Sequence, residues 1–240
     1  MSSTLLIIAA INAFLAGFVL HKNSAARTNR FFALFATCVS GWTLSIFFST
    51  QPLAPISPLL PARLAFVTAL LSIYSLLLLF ESLSAHRSPA SSSLVTAFGV
   101  GTIALVVCSF TDLIISSLTF SHGVVRPSYG PLYPVYAAFL LACIATSIAN
   151  NLKQLRSARG LARLQSTYLL LGLLVPGLLA VVTNLVVPLF YGRSDFSQYG
   201  PLFSLLMIVI IAHAIVRHRL MDMRVVIRKS FVYFASFIAA

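Results

Sequence analysis

Seven apolar stretches, each long enough to cross a lipid bilayer, follow one another along this chain of 240 residues, and that repetition leaves few folds open. In hydrocarbon an unpaired backbone N–H or C=O costs several kcal/mol, so a spanning segment must be a helix or part of a closed barrel. Uninterrupted apolar runs of roughly 20 residues favour helices. The composition agrees. Hydrophobic residues make up 59% and charged ones 8%, with mean hydropathy +0.99, which leaves too little polar side chain to cover a water-soluble surface. The expected fold is an all-α polytopic membrane helix bundle of seven transmembrane helices.

The first segment runs from about Leu5 to Leu20 and is followed by His21, Lys22, Arg27 and Arg30. The second covers Phe31 to Thr50, and the Pro-rich stretch Pro52 to Pro61 leads into a third from about Arg63 to Phe80. Glu81, His86, Arg87 and Ser88 to Ser93 form a polar connection. A fourth run starts near Leu94 and either stops before Asp112 or continues towards Phe120. Ser121 to Pro134 holds two Gly and three Pro, which read as loop and helix-start punctuation before a fifth segment, Tyr133 to Asn151. The basic hinge Lys153 to Arg163 contains Gly160. A sixth segment, Leu164 to about Phe190, is expected to kink at Pro176-Gly177, because Pro removes a backbone donor and crowds the preceding turn. Tyr191 to Gly200 loops into the seventh, Pro201 to Val216.

Lys and Arg accumulate on alternate connections, thirteen on one side against Arg63, Arg126 and Arg193 on the other. The positive-inside rule then puts the N-terminus outside and the C-terminus in the cytoplasm. Basic loops beside spanning helices are what insertion produces, and no aromatic stacking platforms interleave them, so nucleic acid is not the expected partner. Met1 to Thr4 carries no basic residue and the first Lys follows the apolar run, the reverse of a cleaved signal peptide.

Catalytic and metal constellations are missing from the pattern. Cys38, Cys108 and Cys143 lie inside spans without a close Cys or His neighbour, and His21, His86, His122, His213 and His218 are scattered without ligand spacing. His213 reads as a hydrogen-bonded packing residue. A retinal Schiff base needs a buried Lys, and Lys22, Lys153 and Lys229 all sit in basic surface segments. No cofactor is expected. Of the four acidic residues only Asp112 comes near membrane depth, either as a functional ionisable group or as a cap on the outer end of the fourth helix. Asn12, Asn150, Asn151 and Asn184, with Ser40, Gly41, Gly99, Gly101 and Gly172, read as close packing and interhelical hydrogen bonds. Trp42, Tyr129, Tyr133, Tyr191 and Tyr199 read as interfacial anchors where they fall near span ends.

After the seventh helix comes a basic amphipathic run to Lys229 and then Phe231 to Ala240, apolar but too short to span alone. The division is therefore a bundle over 1–216 and a juxtamembrane segment with the start of an eighth helix over 217–240. The string Ala214-Ile215-Val216-Arg217-His218-Arg219-Leu220-Met221-Asp222 resembles the end of the seven-transmembrane sensor region at the N-terminus of bacterial membrane histidine kinases. Asn29-Arg30-Phe31-Phe32-Ala33-Leu34 with Trp42 resembles that family's second helix, and Arg63-Leu64-Ala65-Phe66 the opening of its third. Gly130-Pro131-Leu132-Tyr133 resembles the opening of its fifth, and Gly200-Pro201-Leu202 that of its seventh.

The resemblance implies a bundle that senses a stimulus and passes a conformational change through its last helix to cytoplasmic PAS or GAF, dimerisation and ATP-binding domains, as a homodimer. These 240 residues hold no phosphoacceptor region and no Gly-rich nucleotide-binding segment, so no ATPase or autokinase activity is expected of them; the apolar tail reads either as the start of a further helix in a longer chain or as a short tail lying along the inner membrane surface. Asp112, His122, Arg126, Tyr129, Tyr133, Arg193 and Asp195 are the groups best able to meet an external signal ligand. Arg217, Arg219, Leu220, Asp222 and Arg224 are the expected output residues. Two readings from other classes stand beside this one: a small-molecule transporter or channel, and a stand-alone membrane protein that recruits a cytoplasmic partner through its basic face.

Overall fold

A computed structural model describes residues 2–50, 57–83, 89–121, 124–157, 159–191, 196, 199–213 and 215. Four helices come first: α1 (Ser2–Lys22), α2 (Arg27–Thr50), α3 (Leu59–Leu83) and α4 (Pro89–Ser109). Strands β1 (Ile115–Ser121) and β2 (Val124–Tyr129) follow, then α5 (Tyr133–Ser157). The sixth helix, α6, is composite. It winds as an α-helix over Gly160–Gly172, widens to a π-turn over Leu173–Gly177, returns over Leu178–Val181, widens again over Val182–Val186 and ends with Val187–Tyr191. Helix α7 covers Gly200–His213.

Five of the described helices, Ser3–Lys22, Arg27–Thr50, Leu59–Ser82, Tyr133–Arg156 and Ser166–Val186, are long and apolar enough to cross a membrane. Ser93–Ser109 and Gly200–His213 are shorter apolar helices. Their outward faces stay apolar: Val100, Ile103 and Val107 recur on one side of α4 and are 64%, 67% and 63% exposed, as a lipid-facing stripe requires. The inward faces form two cores. One joins Ala16 and Val19 of α1, Phe32, Phe35 and Val39 of α2 and Leu76, Leu79 and Phe80 of α3 to Leu169 and Leu173 of α6 and Met207, Ile208 and Ile211 of α7. The other gathers Leu70, Leu105, Ile114, Tyr133, Tyr136 and Leu140.

Short connections explain the up-and-down order of neighbours. Asn23 turns the chain between α1 and α2 by accepting the N–H groups of Ala25 and Ala26 at 3.1 and 3.2 Å, which satisfies donors a helix start leaves free. The same two helices are tied by Ser40 Oγ donating to the Ala9 carbonyl and Asn29 Nδ2 to that of Val19, at 2.8 and 2.9 Å. Between α5 and α6, Gly160 takes φ +59°, a left-handed conformation that glycine enters without the Cβ clash of other residues. Small residues allow close approach, as expected: a Cβ on Gly99 would come 2.7 Å from the Tyr74 hydroxyl, and one on Gly41 3.3 Å from Thr68.

Several sequence expectations are corrected. The fold is not purely α, because β1 and β2 pair as an antiparallel hairpin, with Phe120 opposite Val125, Leu118 opposite Pro127 and an irregularity between Ile115 and Ser117. Of the two ends left open for the fourth run, the one before Asp112 holds, with α4 stopping at Ser109, whereas Val124–Tyr129, expected as loop, is a strand. Ile115-Ser116-Ser117-Leu118-Thr119-Phe120 is rich in β-formers, and Pro127 is tolerated because both strands of a two-stranded sheet are edges. Glu81 is not in a polar connection; it belongs to α3 and is buried. Pro176 sits inside the first π-turn, where wider winding absorbs the N–H it lacks.

The asparagines also differ from expectation. Asn184 donates to Ala180 O and Thr183 Oγ1 within its own helix, while the amides of Asn12 and Asn151 are buried without a hydrogen-bond partner. Residues 217–240 lie outside the described residues.

Candidate functional site

The hairpin end of the bundle concentrates the polar and aromatic groups. Arg63, the fifth residue of α3, has its side chain 17% exposed and reaches across to the segment where α4 stops. Its Nη1 donates to the Phe110 carbonyl at 2.8 Å, a group that the helix end leaves without an intrahelical donor. Its Nη2 meets Asp112 Oδ1 at 2.5 Å and the Ile115 carbonyl at 3.4 Å. One guanidinium thus ties the start of α3 to the end of α4 and the first residue of β1. Its Nε is buried without a partner, an unused donor at this end. Asp112 lies in the turn after α4 with its side chain 78% exposed, and its carboxylate accepts from Arg63.

The hairpin returns onto the same turn. Gly130 N–H donates to Ile114 O at 3.0 Å and Leu132 N–H to Leu113 O at 2.9 Å. A Cβ on Gly130 would fall well inside contact distance of the Asp112 and Leu113 carbonyls, so backbone meets backbone here and only glycine fits without displacement. Pro131 then sets up the start of α5.

Beneath this turn lies an aromatic stack. The rings of Tyr129 and Tyr133 are parallel within 19° at 4.0 Å, and Tyr136 continues the column 6.3 Å from Tyr133. Phe66, one turn into α3 from Arg63, meets all three edge-on at 6.5, 6.1 and 5.2 Å. Edge-to-face and offset-parallel rings are the arrangements that the ring quadrupole favours. The Tyr136 hydroxyl donates to the Phe66 carbonyl at 2.9 Å. Burial pushes the Tyr129 phenol well above its ordinary range, reinforced by the neighbouring Tyr133, so it stays a neutral donor.

Of the residues expected to face a signal, the structure brings Asp112, Tyr129 and Tyr133 together. Arg126 belongs to β2, paired with Thr119. His122, Arg193 and Asp195 lie outside the described residues, as do Arg217, Arg219, Leu220, Asp222 and Arg224. Arg63, Phe66, Gly130 and Tyr136 belong to this end but are not among the residues expected to meet a signal. The signal for Arg63 was present, because it is one of three basic residues on the sparse side.

At the other end of the bundle, His213 meets the Tyr168 ring edge-on at 6.3 Å, a packing contact between α6 and α7. Among the described residues, no group of three or more His, Cys, Asp or Glu could hold a metal ion.

A multi-pass helical membrane protein, capped at one end by an ion-paired and aromatic turn, is the class these features define. The chain belongs to the family described as the N-terminal 7TM region of histidine kinase, whose model matches residues 4–224. That region is the sensory part of such kinases rather than their catalytic part, and the chain is a membrane sensory module. No curated protein matches it.

Proposed function

We propose that the chain is the sensory bundle of a two-component histidine kinase in the bacterial cytoplasmic membrane, with seven spans, the N-terminus and hairpin end outside and the basic end in the cytoplasm. The family match over residues 4–224 is the observation that carries this reading. The hairpin end is where a stimulus acts. Asp112 is exposed and Tyr129 half-buried there, and Arg63 ties Asp112 to the start of α3, the end of α4 and the start of β1. A ligand or membrane state that favours one packing of this end shifts the bundle only as far as its affinities for the two states differ. The shift leaves through α7 and the segment Arg217 to Lys229, reaching kinase domains of the same polypeptide in a homodimer.

The test joins residues 1–229 to the output region of a kinase with a known reporter. Arg63→Gln and Asp112→Asn should each change basal output or stimulus response several-fold, while the lipid-facing Ile103→Leu should not. Equal output from all three variants would remove the hairpin end from the signal path. Solute flux through proteoliposomes containing the chain would instead support a transporter. Topology has its own readout. Single cysteines at Ala26 and Ser157, in a background free of Cys38, Cys108 and Cys143, should label only from the cytoplasmic side, and periplasmic labelling would invert the orientation.

A further inference from the structure

We infer that Asn151 and Ser166 line an internal hydration site at the basic end of the α5–α6 hairpin, where water bridges the two helices. Both residues are 1% exposed, and Asn151 Oδ1, Asn151 Nδ2 and Ser166 Oγ all lack a hydrogen-bond partner. Asn151 stands six residues before the last residue of α5 and Ser166 six residues after the first of α6. An antiparallel hairpin with so short a connection sets residues at equal distance from the turn at one level. The same register pairs Ile148 with Leu169, and those two do pack in one core.

Each residue also lies on its helix's buried stripe, Asn151 with Ile144 and Ser147, and Ser166 with Leu169, Leu170 and Leu173. Two unsatisfied polar side chains therefore face the same seam at the same depth.

The chemistry selects the occupant. Ser147, on the same stripe, donates to the Cys143 carbonyl at 2.9 Å, so a hydroxyl here is ordinarily satisfied by its own helix, and Ser166 is not. An amide brings two donors and an acceptor, more than one hydroxyl can satisfy, whereas an inserted water takes two to four such partners. The orphan groups are neutral and mix donors with acceptors, which suits water rather than an ion. A water-bridged seam exchanges partners readily, so α6 can shift against α5 next to Gly160 without breaking a direct bond.

In the full-length protein free of its native cysteines, in native membrane vesicles, single cysteines at Asn151 and Ser166 are compared with one at Leu169, a 1% exposed residue one turn deeper on α6. The cysteine thiolate attacks small hydrophilic thiol reagents, and forming that thiolate needs water, so Asn151→Cys and Ser166→Cys should react at least about tenfold faster than Leu169→Cys. Rates equal to that of Leu169→Cys would overturn the proposal. If the cysteine variants fail to accumulate, a water-resolving density map of the unaltered protein decides. A water within hydrogen-bond distance of both side chains is expected, and satisfaction of both by protein atoms alone would overturn it.

Discussion

At the hairpin end, Arg63 spends its donors on two carbonyls and a carboxylate, Gly130 seats one backbone segment on another, and three tyrosines and Phe66 interlock. Along α6 the helix widens twice into π-turns and follows α5 through a left-handed glycine, and the buried Ser166 of α6 and Asn151 of α5 both lack a hydrogen-bond partner. One region is cross-linked by contacts between residues far apart in sequence, and the other is held mainly by apolar packing. A bundle built this way is tied across distant segments at the hairpin end and held by fewer such ties along α6. That is a workable arrangement for a module that must move as a whole when one end is touched, since packed cores switch between discrete arrangements rather than deform smoothly.

The contrast can be broken most directly at Gly130. Gly130→Val drives side-chain carbon into the Asp112 and Leu113 carbonyls and should cost about 3 kcal/mol of stability. Thermal unfolding in detergent would show it, and an unchanged midpoint would mean that the hairpin end is not locked by this contact. Gly160→Ala probes the other region. Forcing alanine into a left-handed backbone should cost about 1.5 kcal/mol, and added proteolysis should fall at the α5–α6 turn and spare the hairpin. Cleavage appearing first in the hairpin would reverse the contrast between the two regions.

Tyr136→Phe removes the hydroxyl that donates to the Phe66 carbonyl. Since that carbonyl lies within α3, the expected loss is about 1 kcal/mol, read as a lower unfolding midpoint with the aromatic stack intact. The smallest effect is expected from Asp112→Asn. A carboxylate this exposed contributes less than about 1 kcal/mol through its ion pair, and the difference from the parent should shrink further in high salt. A larger loss would mean that Asp112 holds the turn as firmly as Arg63 does.

Much of this architecture was legible in advance. The long apolar runs became the long helices, the Gly160 hinge fell where the basic connection suggested, and Pro176 coincided with an irregular turn. The hairpin was hidden because the apolar content does not end where α4 does: Leu113, Ile114 and Ile115 continue the apolar pattern past Ser109, and short strands carry a weaker periodic signal than spans. Asp112 and two tyrosines of the candidate site were recognised as an ionisable group and as aromatics near span ends. Their partners Arg63 and Phe66 were not, since these lie about fifty to seventy residues earlier and meet them only through packing of α3 on α4 and α5. Asn151 looked like an ordinary interhelical hydrogen-bonding residue, and nothing local distinguishes a satisfied asparagine from an orphaned one.

Segment by segment, then, composition determined which stretches enter lipid as helices, because the transfer of an apolar run depends on its own length and side chains. Which polar groups find partners was decided only when the helices packed. A hydrogen bond between distant residues depends on the rotation and depth of both helices, and neither is written in either segment alone.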